Sequence, residues 1–191
     1  SPSIGVRRYK EKIRRVHIER EQLDQLRARS MAFADMRFAC YVGLLIDTGA
    51  RKSELLERTW SDVDLDNRQI LAPTTKNGTP RVLFFSEPTA QLLKRVYPKR
   101  SPEKLLFEGR VPGQPISFRR IWGVVTKEIG LPDLHMHDIR HAAAASLLRA
   151  GVTLGVAAQV LGHDPAVLAR RYGHLETYAL RKAQESSWNQ I

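Results

Sequence analysis

The sequence predicts a mainly α-helical domain that carries a small three-stranded antiparallel β-sheet, an α+β fold. Two patterns predict it: apolar residues recur at helical spacing along most of the chain, whereas residues 62–85 show strand-like alternation and turn signals. The length agrees with this reading, because 191 residues suffice for one well-packed core and are too few for two domains of ordinary size.

Helical spacing predicts three helices before the sheet. The second is the most apolar, and Phe38, Val42, Leu45 and Ile46 fall on one stripe, as in a core helix. Gly49 follows that helix and is the residue type that commonly ends one. The preceding residues 1–17 are polar and basic and are expected to be a linker. The predicted helices are Ile18–Arg29, Phe33–Asp47 and Arg51–Arg58.

The segment that follows predicts the sheet. Asp66-Asn67 is expected to form a tight turn, and Asn77-Gly78 is a strong hairpin signal because both residue types tolerate the backbone of a hairpin turn. The three predicted strands are Asp62–Leu65, Arg68–Leu71 and Arg81–Phe85.

Helical spacing returns after the sheet. Residues 97–115 are rich in Pro and Gly and are expected to form a loop. Asp164-Pro165 is typical of a helix start, with a capping carboxylate before a proline. The predicted helices are Glu87–Val96, Ser117–Ile129, Asp138–Ala150, Thr153–Leu161, Pro165–Arg171 and Thr177–Ser187.

Charge gives the first indication of function. The formal net charge is +11 and the pI is about 10.2, so the folded domain is expected to bind a polyanion such as nucleic acid. The longest apolar run, Phe38–Ile46, is far shorter than the ~20 residues that span a bilayer, which argues against a membrane partner. Cys40 is the only cysteine, which favours a reducing compartment, the cytoplasm.

Several chemistries are disfavoured by the residues themselves. The chain has no glycine-rich phosphate loop for ATP or NAD. Asp62, Asp64 and Asp66 lack the glycine and the closing glutamate of a calcium loop. His137 and His141 have metal-ligand spacing, but the glutamate of a zinc protease is absent between them. We therefore expect neither a cofactor nor a metal.

What remains is a set of arginine, lysine, histidine and tyrosine residues at turns and helix ends. Taken singly, each is typical of a surface charge, a capping histidine or a half-buried ring. Together their surroundings resemble, in order, the motifs of the tyrosine recombinases, the phage-integrase family, over Ile18–His174, with Lys76 at the hairpin position of that family. The motifs read Thr48-Gly49-Ala50-Arg51-Lys52-Ser53-Glu54-Leu55, His137-Asp138-Ile139-Arg140-His141, Leu161-Gly162-His163-Asp164 and Arg171-Tyr172-Gly173-His174.

The resemblance implies a catalytic domain over residues 18–174 and a role for each motif residue. Arg51 and Arg140 correspond to the arginines that stabilise the charge on a DNA phosphate, and guanidinium forks suit that task. The nucleophile is Tyr172, which forms a 3′-phosphotyrosine, and the general acid is Lys76. His137 and His163 donate to the phosphate and help to manage the tyrosine proton, and Glu54 supports the arginines without being catalytic. Neither ATP nor metal is required, because the phosphotyrosine conserves the bond energy.

The resemblance also implies partners. These are double-stranded DNA and further copies of the chain, which form a tetramer on DNA from free monomers. The tail, residues 175–191, is expected to be helical and to pack on a neighbouring protomer. Most members carry a separate DNA-binding domain before the catalytic one, so this chain resembles an isolated catalytic domain or a short member. The expected setting is the nucleoid of a prokaryotic cell, with a prokaryotic or phage origin.

Three alternatives stay open at this point. A type IB topoisomerase shares the chemistry, although the short interval from His163 to Tyr172 favours a recombinase. A metal-dependent relaxase has a histidine pair like His135 and His137, but on a strand, whereas here the pair leads into a helix. A basic DNA-binding protein that lacks activity would not need Tyr172. Chelator resistance and a covalent protein–DNA adduct discriminate between these classes.

Overall fold

The protein, described here from a computed structural model over residues 18–73 and 80–188, is mainly helical with one small sheet, which confirms the predicted fold class. Along these residues no helix has the length and apolarity needed to cross a bilayer. The helices are α1 (Arg20–Ser30), α2 (Met36–Thr48), α3 (Lys52–Leu56), α4 (Glu87–Val96), α5 (Arg119–Glu128), α6 (Met136–Arg149), α7 (Leu154–Leu161) and α8 (Pro165–Trp188). The strands are β1 (Val63–Asp64), β2 (Gln69–Ala72) and β3 (Arg81–Phe84), and a short 3₁₀ turn, Trp60–Asp62, precedes β1.

Helix α2 is the centre of the core. It packs against α1, α4 and α6, which is why its side chains are buried on almost every face. Its Tyr41 ring stacks on Phe118 with the centroids 4.7 Å apart and meets the edge of Phe107 at 5.4 Å. Phe107 belongs to the irregular segment 97–115, so this predicted loop is anchored by a fully buried ring.

Both ends of α2 have well-defined caps, and its C-terminus leads directly to Arg51. Asp35 caps its N-terminus through the amide of Arg37, so the helix begins three residues after the predicted Phe33. Gly49 ends it in the left-handed conformation, with φ of +58°. A Cβ on Gly49 would lie 2.7 Å from Leu161 and 2.8 Å from Ala143, so both the backbone and the packing require glycine.

The antiparallel sheet has the strand order β1-β2-β3. Ile70 pairs with Leu83, and both face the core, whereas Leu71, Val82 and Phe84 point outward. The same alternation turns Arg81 inward. The predicted hairpin turn Asn77-Gly78 lies outside the described residues.

The C-terminal region differs from the prediction. Instead of separate helices Pro165–Arg171 and Thr177–Ser187, one helix, α8, runs from Pro165 to Trp188. Gly173 costs about 1 kcal/mol inside a helix, and the packing of α8 against α6 and α7 outweighs it. A second, smaller apolar cluster joins these three helices, and Tyr172 packs against it from the N-terminal third of α8.

Candidate active site

Two arginines that are distant in sequence meet at one backbone oxygen. Arg51 precedes α3 and Arg140 lies in α6, and they donate to the carbonyl of Gly162 at 2.9 Å and 3.2 Å. Gly162 can place its carbonyl there because it ends α7 in the left-handed conformation. Arg140 also donates to the carbonyl of Gly49 at 3.0 Å. The two helix-ending glycines thus fix the guanidinium of Arg140.

Glu54 is the buried carboxylate of this cluster. Its Oε2 accepts from the amide of Arg51 at 2.6 Å, and its Oε1 accepts from the Arg51 guanidinium at 2.8 Å. Burial raises the pKa of Glu54, but the amide of Arg51 and the charges of Arg81 and Arg140 lower it more, so the net shift is downward. Glu54 is therefore ionised at neutral pH and orients Arg51.

Arg81, which belongs to none of the sequence motifs, completes the cluster. Its Nη2 donates to Oε2 of Glu54 at 2.6 Å, and its Nη1 donates to the carbonyl of Val160 near the end of α7. Its stem lies against Gly162, where a Cβ would be 3.0 Å from the Arg81 Cδ. The period of two could have identified it, because Arg81 has the same phase as the buried Leu83 and Phe85.

The cluster carries an uncompensated positive charge. Three guanidiniums, of Arg51, Arg81 and Arg140, face the one carboxylate of Glu54, an excess of two charges (three minus one). Burial lowers the pKa of Arg140 to about 9, and the charges of Arg51 and Arg81 lower it in the same direction. Partly dehydrated like charges repel strongly, so this site gains free energy by binding an anion.

His163 offers a further hydrogen-bond donor at this position. Its Nε2 accepts from Nε of Arg140 at 3.0 Å, so the proton of the neutral ring is on Nδ1. That Nδ1 is buried and has no partner among residues 18–73 and 80–188. Burial, followed by the charges of Arg140 and Arg51, lowers the pKa of His163 to about 3, so the ring is neutral. Within the described part of the chain, its Nδ1 is thus a donor without an acceptor.

Tyr172 contacts a histidine other than the two predicted to serve it. Its hydroxyl lies 2.7 Å from Nδ1 of His141. Burial raises the pKa of Tyr172, and burial followed by the charge of Arg171 lowers the pKa of His141 to about 4. Both groups are therefore neutral, and the tautomer of His141 decides which of the two atoms donates: with the ring proton on Nε2, the hydroxyl donates to Nδ1. His137 is exposed and meets the ring of His141 edge-on, with the centroids 4.7 Å apart.

The structure thus brings together most of the predicted site residues. Arg51, Glu54, Arg140 and His163 form one bonded group, and His137 lies next to the pair of His141 and Tyr172. Lys76 lies outside the described residues. Sequence reasoning missed Arg81 and His141, although His141 stands four residues after His137, which places both on one face of α6.

Nothing among the described residues forms a metal centre of three or more His, Cys, Asp or Glu side chains. His135 is the N-cap of α6, and His137 is inside that helix. This helical position differs from the strand that a relaxase histidine core needs.

Comparisons with known proteins identify the family to which the sequence is related. Residues 17–178 match the model of the Phage integrase family. The tyrosine recombinase XerA of Saccharolobus solfataricus is 31% identical over 97% of the chain, which spans 63% of that relative's length.

Two solved structures share the fold. The crystal structure of XerA recombinase matches with a TM-score of 0.72 at 26% identity. The match includes 91% of this chain and 65% of the XerA chain. The catalytic domain of bacteriophage HP1 integrase has a TM-score of 0.65 at 19% identity, and the match covers 89% of this chain and 94% of that domain.

Proposed function

The chain belongs to the phage integrase family, and from that premise we propose that it is the catalytic domain of a site-specific tyrosine recombinase. It cleaves and rejoins DNA strands through a 3′-phosphotyrosine. The observation that carries the proposal is the excess of positive charge at Arg51, Arg81 and Arg140, next to the Nδ1 of His163, which has no partner in the described segments. This arrangement matches the charge and the acceptor oxygens of a phosphodiester.

In this proposal a DNA phosphate is held by its non-bridging oxygens. Arg51 and Arg140, which share the carbonyl of Gly162, donate to these oxygens and stabilise the charge of the pentacoordinate transition state. His163 donates from Nδ1, and the exposed His137 donates from the side of α6. Glu54 takes no part in the chemistry and keeps Arg51 oriented.

The bond changes are carried by Tyr172 and Lys76. Tyr172 attacks the phosphorus, and Lys76 protonates the departing 5′-oxygen, which otherwise leaves as a poor alkoxide. Rejoining reverses both steps, so neither ATP nor a metal is consumed. The position of Tyr172 supports this assignment, because Tyr172 and Arg140 lie near enough for each to shift the pKa of the other.

We further propose that the partner is double-stranded DNA and that the chain, monomeric when free, acts in a tetramer on it. The net charge of +11 supports DNA binding. Residues 18–174 form the catalytic domain, residues 1–17 the linker, and residues 175–191 a tail that packs on a neighbouring protomer. The continuation of α8 past Tyr172 and its exposed Leu180 support the tail assignment. The site of action is the nucleoid in a prokaryotic cytoplasm.

The proposal is tested with a nicked suicide duplex, from which the cleaved fragment diffuses away. A covalent adduct should accumulate, should resist denaturation and should form equally with excess EDTA. Tyr172→Phe should bind the duplex and form no adduct. Loss of adduct on chelation, with recovery on adding Mg²⁺, would overturn the proposal in favour of a metal-dependent relaxase.

A further inference from the structure

We infer that His141 is a catalytic residue of this site: it accepts the hydroxyl proton of Tyr172 during cleavage and returns it during rejoining. This inference rests on the proposed function and deepens it, because the family resemblance gave the management of that proton to His137 and His163.

Geometry selects His141 among the three histidines. Its Nδ1 is the atom in contact with the Tyr172 hydroxyl, at 2.7 Å. A neutral imidazole has one lone pair, and that of His163 is already engaged by Nε of Arg140. His163 can therefore donate to a phosphate and cannot take a proton from the tyrosine without breaking its bond to Arg140.

His137 occupies a different position. Its ring meets the ring of His141 edge-on at 4.7 Å between centroids, whereas the ring of His141 lies 6.2 Å from that of Tyr172. His137 is also the more exposed of the two rings. This position suits a hydrogen-bond donor to the DNA phosphate at the mouth of the site, beside His141, which receives the tyrosine proton.

The surrounding charges explain how proton transfer is coupled to DNA. The charged groups that face the half-buried His141 are Arg171 of α8, Arg140 of its own helix and the opposing carboxylate of Asp138, while His137 and His163 are neutral. Burial, followed by the charges of Arg171 and Arg140, keeps the ring neutral in the free protein, and the tautomer with its proton on Nε2 leaves the Nδ1 lone pair available to the tyrosine. A bound phosphate offsets the charges of Arg171 and Arg140 and so raises the pKa of His141. The ring can then take up the tyrosine proton and become an imidazolium.

The step balances. The O–H bond of Tyr172 breaks and its proton passes to Nδ1 of His141, while the oxygen lone pair forms the bond to phosphorus. The bond from phosphorus to the 5′-oxygen breaks, and that oxygen takes a proton from Lys76. In rejoining, the 5′-hydroxyl attacks phosphorus and returns its proton to Lys76, the bond from phosphorus to the Tyr172 oxygen breaks, and that oxygen takes back the proton held by His141.

The test uses His141→Asn, whose amide oxygen can accept the tyrosine hydrogen bond but cannot take up a proton. Single-turnover cleavage of the suicide duplex should slow by about 10²–10⁴-fold, the usual contribution of a general base. Ligation should then be measured on DNA whose 3′ end carries a p-nitrophenyl phosphate. That leaving group is acidic and needs no proton, so His141→Asn should ligate it at the rate of the unsubstituted protein.

Two comparisons make the result specific. Arg51→Ala should be slow in both reactions, because both pass through a charged pentacoordinate phosphorus. His141→Ala should recover cleavage when imidazole is added, which a purely structural role for His141 does not predict. Thermal unfolding of each variant checks that the fold is retained.

The outcomes separate the inference from the proposed function. Cleavage by His141→Asn at the unsubstituted rate overturns the inference and leaves the tyrosine nucleophile standing. An equal defect of His141→Asn in cleavage and in p-nitrophenyl ligation also overturns it, because the residue then acts on the phosphate or the fold. Failure of the unsubstituted chain to form any adduct refutes the proposed function, and the inference with it.

Discussion

Glu54 and Arg81 form a buried ion pair, with Oε2 and Nη2 2.6 Å apart and both side chains almost fully enclosed. The pair joins α3, which begins directly after Arg51, to β3, the strand that follows the segment containing Lys76. Arg81 extends the connection to α7 through the carbonyl of Val160. One carboxylate therefore links three elements from which the proposed phosphate site is built.

Replacing Glu54 by Gln should destabilise the protein. The variant leaves three guanidiniums without a counter-charge, and breaking a buried pair costs about 3 kcal/mol in free energy of unfolding. Glu57→Gln, an exposed change at the end of the same helix, should stay within about 0.5 kcal/mol. Urea unfolding of both variants measures the difference, and equal stability would show that Glu54 does not hold the cluster together.

The same variant has a predictable pH dependence. The pKa of Glu54 is lower in the folded than in the unfolded state, so its stabilisation is fully present above the unfolded pKa, about 4.3. It is lost as the pH falls through the folded pKa. The difference in unfolding free energy between the unsubstituted protein and Glu54→Gln should thus be constant from neutral pH to about pH 5 and should shrink in more acid solution. A difference that grows on acidification would contradict this assignment.

Arg81 is expected to be a positioning residue. Arg81→Met should slow single-turnover cleavage while DNA affinity changes little, because Arg81 acts through Glu54 and the end of α7 and not on DNA. Arg81→Lys should recover part of the rate, since it keeps the charge but cannot reach both partners. Arg120→Met, an exposed arginine on α5, is the control for the fold. Loss of affinity in parallel with rate would instead place Arg81 in contact with DNA.

The role of Lys76 can be tested with a DNA substrate whose leaving group needs no proton. Lys76→Ala should slow cleavage by about 10²–10⁴-fold if the lysine is the general acid. A substrate with sulfur at the 5′-bridging position releases a thiolate, which leaves without protonation. The defect of Lys76→Ala should therefore largely vanish on this substrate. Arg51→Ala should stay defective on the same DNA, because its partner is the non-bridging charge. Equal rescue of both variants, or of neither, would remove Lys76 from this role.

DNA affinity should depend steeply on salt. The net charge of +11 implies that binding releases many counterions, so the logarithm of the association constant falls linearly with the logarithm of salt concentration. We expect this chain to discriminate between cognate and random duplex by less than ~10³-fold, the lower end for specific binders. Fluorescence anisotropy titrations at several salt concentrations measure both. Tight, selective and salt-insensitive binding would contradict the prediction.

The sequence predicted the features that local physics controls. The change of period from 3.6 to 2 located the sheet, and Gly49 and Gly162 were placed at helix ends, where both have a left-handed backbone. The motif residues were found by resemblance, which is why Arg51, Arg140, His163 and Tyr172 were identified without any knowledge of their contacts.

Long-range contacts were not accessible in the same way. The unbroken α8 depends on packing against α6 and α7, which outweighs the low helix propensity of Gly173. The contact between His141 and Tyr172 spans 31 positions, and that between Glu54 and Arg81 spans 27. No local pattern encodes such partners, although the inward phase of Arg81 on its strand could have identified it as a buried charge.

Identifying the residue that becomes covalently bound to DNA is the sharpest test of the proposed mechanism. After trapping on a suicide duplex and nuclease digestion, trypsin should release a peptide that begins after Arg171 and contains both Tyr172 and Tyr178. Fragmentation by tandem mass spectrometry distinguishes the two rings. The account predicts a nucleotide phosphate on the oxygen of Tyr172, in the presence of EDTA as in its absence. A nucleotide on Tyr178 or on any other residue would contradict it.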